Sequence, residues 1–391
     1  MRGNARIGSR VAWVVGLCLL LGAVGALSAC GSSGSDSSTS SSGSSGGDNA
    51  AVPAAQLKVA EQRTAKESQR PTSIGITTPL KKLPDKGLQV AMPSATSATW
   101  LTYINRIKEA FGLLGFKINV YSFQQNQDSI RSALSSAVSD KPAGVVLNNL
   151  PLEFRRPETQ KWVSEGLPIL ANGSTDKNEK NLVNYIDGDI VGVNTQQAVD
   201  WMVANAKGKP VNLVYFTDNT LPCCKDQAPY VEKRLKEYCP TKCKFHKMEI
   251  QLADVGTKLP GQIVSFLQAN PDYNYGLFIL GDHAVGLPAA LKGSGLADKF
   301  KFCTTSGTEA NYQYIEDGQQ ACDVSYDDAG AAYMGADLFA RALTGQSIAE
   351  NQKWRQDTQI ITKDNIFWPI DEPYPGAANR VEMWKKLWGI Q

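Results

Sequence analysis

Residues 88–149 read LQVAMPSATSATWLTYINRIKEAFGLLGFKINVYSFQQNQDSIRSALSSAVSDKPAGVVLNN. The apolar run LQVAMP reads as a short buried strand. Over 98–114, Trp100, Leu101, Ile104, Ile107, Phe111 and Leu114 return at helical spacing and give one face to bury. FKINVYSF is then a second strand, 126–139 a second helix, and AGVVLNN a third strand. Such alternation builds a parallel sheet covered by helices on both faces.

The rhythm continues outward. Helix 158–165 and strand LPILANG follow, then Tyr185-Ile186-Asp187-Gly188 and helix 192–206. Strands VNLVYFT, KFHKMEIQL, YGLFILGD, KFKFCTTS and ACDVSYDD alternate with helices 226–238, 260–269, 284–292 and 308–317. Helix 329–343 and strand DTQIITK close the series. The strands lack a polar face, as expected when both faces are buried. Some eleven strands are too many for one sheet of this kind, and they divide near Asp187 into similar halves. The expected fold is α/β, with two Rossmann-like, doubly wound parallel-sheet lobes.

Composition agrees with a globular body. The chain has 391 residues, 42% hydrophobic and 20% charged, with 40 Lys+Arg against 38 Asp+Glu. That balance offers no field for nucleic acid. The one apolar run near membrane-spanning length lies at the N-terminus, Val11 to Leu27, behind Arg2, Arg6 and Arg10. A basic lead, an apolar run and small residues make a secretory signal. Leu27-Ser28-Ala29-Cys30 resembles the lipobox of bacterial lipoproteins, which implies lipidation of Cys30 and a membrane contact through the lipid. Residues 31–50 are nearly all Ser, Gly and Asp, a flexible tether. Residues 53–70 read as an exposed amphipathic helix ended by Pro71.

Beyond Cys18 and Cys30, six cysteines remain: Cys223, Cys224, Cys239, Cys243, Cys303 and Cys322. In an exported chain an even set points to disulfides. Cys303 and Cys322 sit in strands separated by one helix, so a bridge between neighbouring strands is expected. For the other four, two crossed bridges across helix 226–238 are the first reading. A zinc site that adds His246 is the rival, although the usual C-x2-C pairs are absent.

Ligands of open α/β sheets bind beyond the carboxyl ends of the strands. There this chain places Ser94 to Trp100, Asn148-Asn149, Asn172-Gly173, Thr217 to Asn219, Gly281-Asp282, Ser306-Gly307 and Ser325-Tyr326. The set suits hydrogen bonding to a neutral polar molecule with one face on an aromatic ring. No phosphate-binding glycine motif is present.

Taken in order, VAMPSATSATWLTYINRIKEA, KPAGVVLNN, GLPILANGS, the Asp187 to Gly192 step, ANPDYNYGLFILGDHAVGLPAALKGSGL and YIEDGQQACDVSYDDAGAAYMGADLFARALTG resemble the type I periplasmic binding proteins. The likeness is to the ribose/galactose branch that serves sugar ABC importers, over about residues 88–345. It implies two lobes joined by a three-segment hinge, with ligand clamped between them. It implies contacts at Thr96, Trp100 and Asn172 in the first lobe, and at Gln227, Asp282, Ser306 and Tyr326 in the second lobe and hinge. Sugar-binding relatives carry Asp-Arg where this chain has Asn172-Gly173, Arg at Gln227 and Asp at Ser306. Those departures favour a less hydroxylated or partly aromatic ligand.

The domain reading is a signal at 1–29, a lipid-anchored tether at 30–52, and a helix and lead at 53–87. The first lobe takes 88–186 with 327–350, and the second takes 187–326 with 351–391. Function is expected to be capture of a small neutral polar molecule, sugar or sugar-like, between the lobes outside the cell and its delivery to ABC permease subunits, by a monomer without cofactor or metal. The alternatives are a ligand-sensing lipoprotein acting on a signalling partner, or an importer receptor for a non-sugar, partly aromatic ligand. Catalysis is not expected, because adjacent Asp282 and His283 do not orient each other toward Ser306 as a triad requires.

Overall fold

The computed structural model describes residues 50–95, 98–124, 126–148, 150, 152–172, 182–183, 190–218, 224 and 227–391. The expected signal, Cys30, Thr96, Asp187 and Cys223 lie outside these residues. The first part of the chain forms α1 (Ala54–Glu67), β1 (Gln89–Ala95), α2 (Ala98–Leu113), β2 (Lys117–Phe123), α3 (Gln127–Ser139), β3 (Gly144–Asn148), α4 (Leu152–Ser164) and β4 (Ile169–Asn172). The second part begins with α5 (Ile190–Ala206), β5 (Leu213–Thr217), α6 (Ala228–Tyr238), β6 (Phe245–Glu249), α7 (Leu259–Ala269), β7 (Tyr275–Phe278) and α8 (Leu287–Gly293). It ends with β8 (Lys301–Thr305), α9 (Glu309–Glu316), β9 (Cys322–Tyr326), α10 (Asp328–Leu343), β10 (Thr358–Ile361) and α11 (Arg380–Trp388).

Two sheets result. The first has order β2-β1-β3-β4, all parallel. The second has order β10-β9-β8-β7-β5-β6, parallel except for β10, which runs antiparallel to β9. Strand residues alternate between two cores, which is why no polar face was legible. In β5, Leu213 and Tyr215 enter one core while Val214 and Phe216 enter the other. In β1, Val90 and Met92 oppose Ala91 in the same way. Each such large apolar side chain contributes about 1.5–3 kcal/mol on burial. In α2, Ile104, Ile107 and Phe111 are buried as expected, as is Leu114 just after it, whereas Leu101 is 46% exposed.

The chain returns to the first lobe after β9. Helix α10 packs on α2 and β4, and Gly335 permits the approach, since a Cβ there would lie 2.5 Å from Leu170 Cδ2. After β10 the chain crosses once more. Residues 351–391 therefore do not all stay with the second lobe: Trp384, Leu387 and Trp388 of α11 join the core of the first. The cause is apolar, because this Trp-rich face finds Tyr333 of α10, with ring centroids of Tyr333 and Trp388 stacked at 5.6 Å.

The N-terminal lead also spans both lobes. Helix α1 docks on α5 rather than standing free, burying Ala60, and Arg63 Nη1 donates to Tyr238 Oη at 2.8 Å. Further on, Trp354 Nε1 donates to the Ile74 carbonyl and Arg341 Nη2 to the Thr78 carbonyl, while Leu80 joins the first core.

Cys303 and Cys322 face each other in register on β8 and β9 and are bridged, with Cα atoms 4.7 Å apart. The crossed pairing across α6 is overturned. Cys239 bridges Cys243 at a Cα separation of 5.6 Å, because α6 ends at Tyr238 and the turn after it brings both into reach. The zinc alternative goes with it: His246 stacks on Phe266 at 4.8 Å. No described helix is long and apolar enough to cross a membrane.

Candidate functional site

Parallel strands deliver their following loops to one edge of the sheet. In the second lobe the loops after β7, β8 and β9 meet there and are tied together from below. Asn311 Nδ2 donates to the Gly281 carbonyl at 3.2 Å and to Gln320 Oε1 at 3.0 Å. Gln320 Nε2 donates to Thr304 Oγ1 at 2.8 Å, and Thr304 Oγ1 donates to Asp323 Oδ1 at 2.5 Å. Helix α9 opens with a capping box of Thr308 and Asn311. Ser306 sits in the left-handed region at φ +54 and turns toward the lobe interface.

Between the lobes lies a small cleft that opens to solvent. Thr102 and Arg106 of α2 form its first-lobe wall. Ser306, Glu309 and Tyr326 form the second-lobe wall, and Tyr374 joins the lining from the segment between β10 and α11. Hydroxyls of Thr102, Ser306 and Tyr326 supply donors and acceptors, and tyrosine rings supply flat apolar surface.

The structure thus brings together two of the expected contacts, Ser306 and Tyr326. Trp100 stands half-buried at the start of α2, two residues before Thr102, and does not line this cleft. Asn172 ends β4 in register with the buried Asn148, whose Nδ2 lies 3.5 Å from Ser94 Oγ. These three adjacent strand ends form the polar edge of the first sheet. Gln227 is 7% exposed just before α6, with Oε1 close to Gly192 of α5. Asp282 lies half-buried in the short turn Gly281–Ala284 without capping a helix.

Sequence reasoning missed Thr102, Arg106, Glu309 and Tyr374. The first two had a signal, since positions four apart share one helix face and this one is polar beside the Ile104, Ile107 and Phe111 stripe. Tyr374 had none.

The Asp282, His283 and Ser306 arrangement does not assemble. His283 is 2% exposed, and neither ring nitrogen has a hydrogen-bond partner among the described residues. Its Nε2 lies 3.8 Å from Asp218 Oδ2. Burial holds the imidazole below its ordinary pKa against the pull of Asp218 and Asp282. Among the described residues no cluster of His, Cys, Asp and Glu could hold a metal ion.

Residues 88–347 match the family model described as periplasmic binding protein domain. No curated protein matches the chain. Among solved structures, a glucose-galactose binding protein from Geobacillus stearothermophilus is similar at 15% identity and TM-score 0.62, covering 72% of this chain and 99% of that one. An ABC transporter solute binding protein from Agrobacterium vitis, bound with alpha-D-tagatopyranose, is similar at 15% identity and TM-score 0.61, covering 73% and 97%. Another from Bacillus halodurans, with bound myo-inositol, is similar at 13% identity and TM-score 0.60, covering 72% and 96%.

Proposed function

The chain belongs to the periplasmic binding protein domain family, and from that premise we propose that it is an extracytoplasmic solute receptor. It is tethered by lipid at Cys30, captures a small neutral sugar-like molecule as a monomer, and hands it to the membrane subunits of an ABC importer. It performs no catalysis. The observation that carries this reading is the cleft in which Thr102 and Arg106 of one lobe face Ser306 and Tyr326 of the other. A ligand lying between such walls gains its full set of contacts only when the lobes close. Binding therefore shifts the open-closed equilibrium, and a transporter can read the closed form. The fold neighbours bound to tagatopyranose and myo-inositol support the ligand class.

A thermal-shift screen of aldoses, ketoses, cyclitols, aromatic glycosides and amino-acid derivatives tests it. A ligand at 100 times its Kd stabilises the folded protein by about 2.7 kcal/mol. A sugar or cyclitol that raises the melting temperature supports the proposal, and a response confined to the amino-acid derivatives overturns the ligand class. The anchor is tested separately, because Cys30→Ala leaves a receptor that is released from the cell surface.

A further inference from the structure

The Ser306–Gly307 turn carries the second-lobe wall, yet nothing in its own residues favours its shape. A serine at φ +54 pays a steric penalty that asparagine or glycine avoids, so its surroundings must hold it. They do so through a carboxylate that lies beneath the cleft and outside it.

Asp323, on β9, is fully buried. Its carboxylate accepts from Thr304 Oγ1 at 2.5 Å, from Ser325 Oγ at 2.6 Å and from the backbone N–H of Gly307. The fit leaves no room: a Cβ on Gly307 would lie 2.7 Å from Asp323 Cγ. The partners are themselves engaged. Thr304 Oγ1 also accepts from Gln320 Nε2, and Ser325 Oγ lies 3.1 Å from Tyr312 Oη, which donates to the Gly307 carbonyl at 3.0 Å. An added proton on the carboxylate would convert one acceptor oxygen into a donor in a ring of groups that already donate to it.

We infer that Asp323 is the positioning residue of the ligand-facing wall: its ionised carboxylate pins the Ser306–Gly307 turn in the cleft, and protonation releases it. The inference rests on the reading that the cleft between the lobes is the ligand site. The groups facing the carboxylate are Thr304 from β8, Tyr312 from α9, Ile361 from β10 and Gly307 from the turn, none of them charged. Burial raises the Tyr312 phenol well above its ordinary value, so it stays neutral. Burial likewise pushes the Asp323 carboxyl up to about 6, against the bonds from Ser325, Thr304 and Gly307. Because this value is raised on folding, the group's contribution to stability is present at low pH and is lost as pH rises through about 6. Acid therefore loosens the turn without weakening the fold through this residue, and the two effects separate.

Hydrogen exchange of the ligand-free protein reads the Gly307 amide at about pH 7.5 and about pH 5, after correction for intrinsic rates. The expected result is a fall in wild-type protection of about tenfold on acidification, with β5 amides unchanged. Asp323→Asn is expected to show the low protection at both pH values. Equal Gly307 protection at the two pH values in the wild type overturns the inference, as does wild-type protection in Asp323→Asn. If that variant fails to fold, the wild-type comparison still decides. Binding of D-tagatose and myo-inositol is measured in parallel, and an affinity that drops with acid in the wild type but is low and flat in Asp323→Asn supports the role. If either sugar binds and Ser306→Ala leaves its affinity unchanged, the failure lies with the site assignment and not with the turn's anchor.

Discussion

Arg380 Nη1 lies 3.3 Å from Asp327 Oδ1, and both side chains are nearly inaccessible, 8% and 3% exposed. The pair joins the start of α11 to the point where the chain passes from β9 to α10. Asp327 also caps α10 by accepting from the Gly330 amide at 2.8 Å. Burial raises its pKa, and Arg380 pulls the other way. Arg380→Met leaves that carboxylate buried without its counter-charge and is expected to cost about 3–5 kcal/mol. Urea unfolding measures it, and a loss below about 1 kcal/mol would place the pair among ordinary surface bridges.

A second prediction concerns the docked N-terminal helix. Glu67 of α1 has a buried oxygen with no hydrogen-bond partner among the described residues. Burial, reinforced by Asp200, raises its carboxyl to about 7. A raised value means stability that is present at low pH and lost as pH rises through about 7. Glu67→Gln is expected to melt about 2–4 °C higher than the wild type near pH 8 and to lose that advantage near pH 5. Calorimetry at the two pH values gives the answer, and a pH-independent difference would count against it.

The bridge joins Cys303 and Cys322, 19 positions apart in sequence and on either side of α9. Replacing both by Ala is expected to cost about 3 kcal/mol through the freed unfolded chain. Unfolding midpoints of the oxidised wild type and the double variant would check this, and equal midpoints would contradict it.

Trp100 tests how far the ligand site extends along α2. If the ring stacks on ligand in the closed form, Trp100→Ala weakens binding about tenfold, the worth of roughly 1–1.5 kcal/mol of ring contact. Thermal unfolding without ligand should stay close to wild type. Calorimetric titration with a sugar found by screening decides, and an unchanged affinity removes Trp100 from the site.

Most strands and helices were legible because apolar spacing is local information. The run from Gln89 to Asn148 alternates as its periodicity requires, and Cys303 and Cys322 were placed on neighbouring strands by their position around one helix. Helix α11 was not read, although Val381, Trp384 and Trp388 carry helical spacing in their short segment. The pairing of Cys239 with Cys243 also escaped, because it depends on where α6 stops rather than on how many residues separate the cysteines.

The site divides in the same way. That Ser306 and Tyr326 line the cleft was legible because the loops at the carboxyl ends of parallel strands gather on one side of the sheet. Arg106, Glu309 and Tyr374 come from a helix face, a helix start and the segment between β10 and α11, which meet only after two lobes, two sheets and a returning C-terminus are assembled.

Periodicity alone determined that this chain makes covered parallel sheets in two halves, since burial of both strand faces is written into runs of a few residues. What the tertiary structure decided was partnership: which lobe receives α1 and α11, which cysteines join, and which carboxylate sits under Ser306. Those outcomes turn on the distances between segments far apart in the chain, and no local pattern encodes a distance.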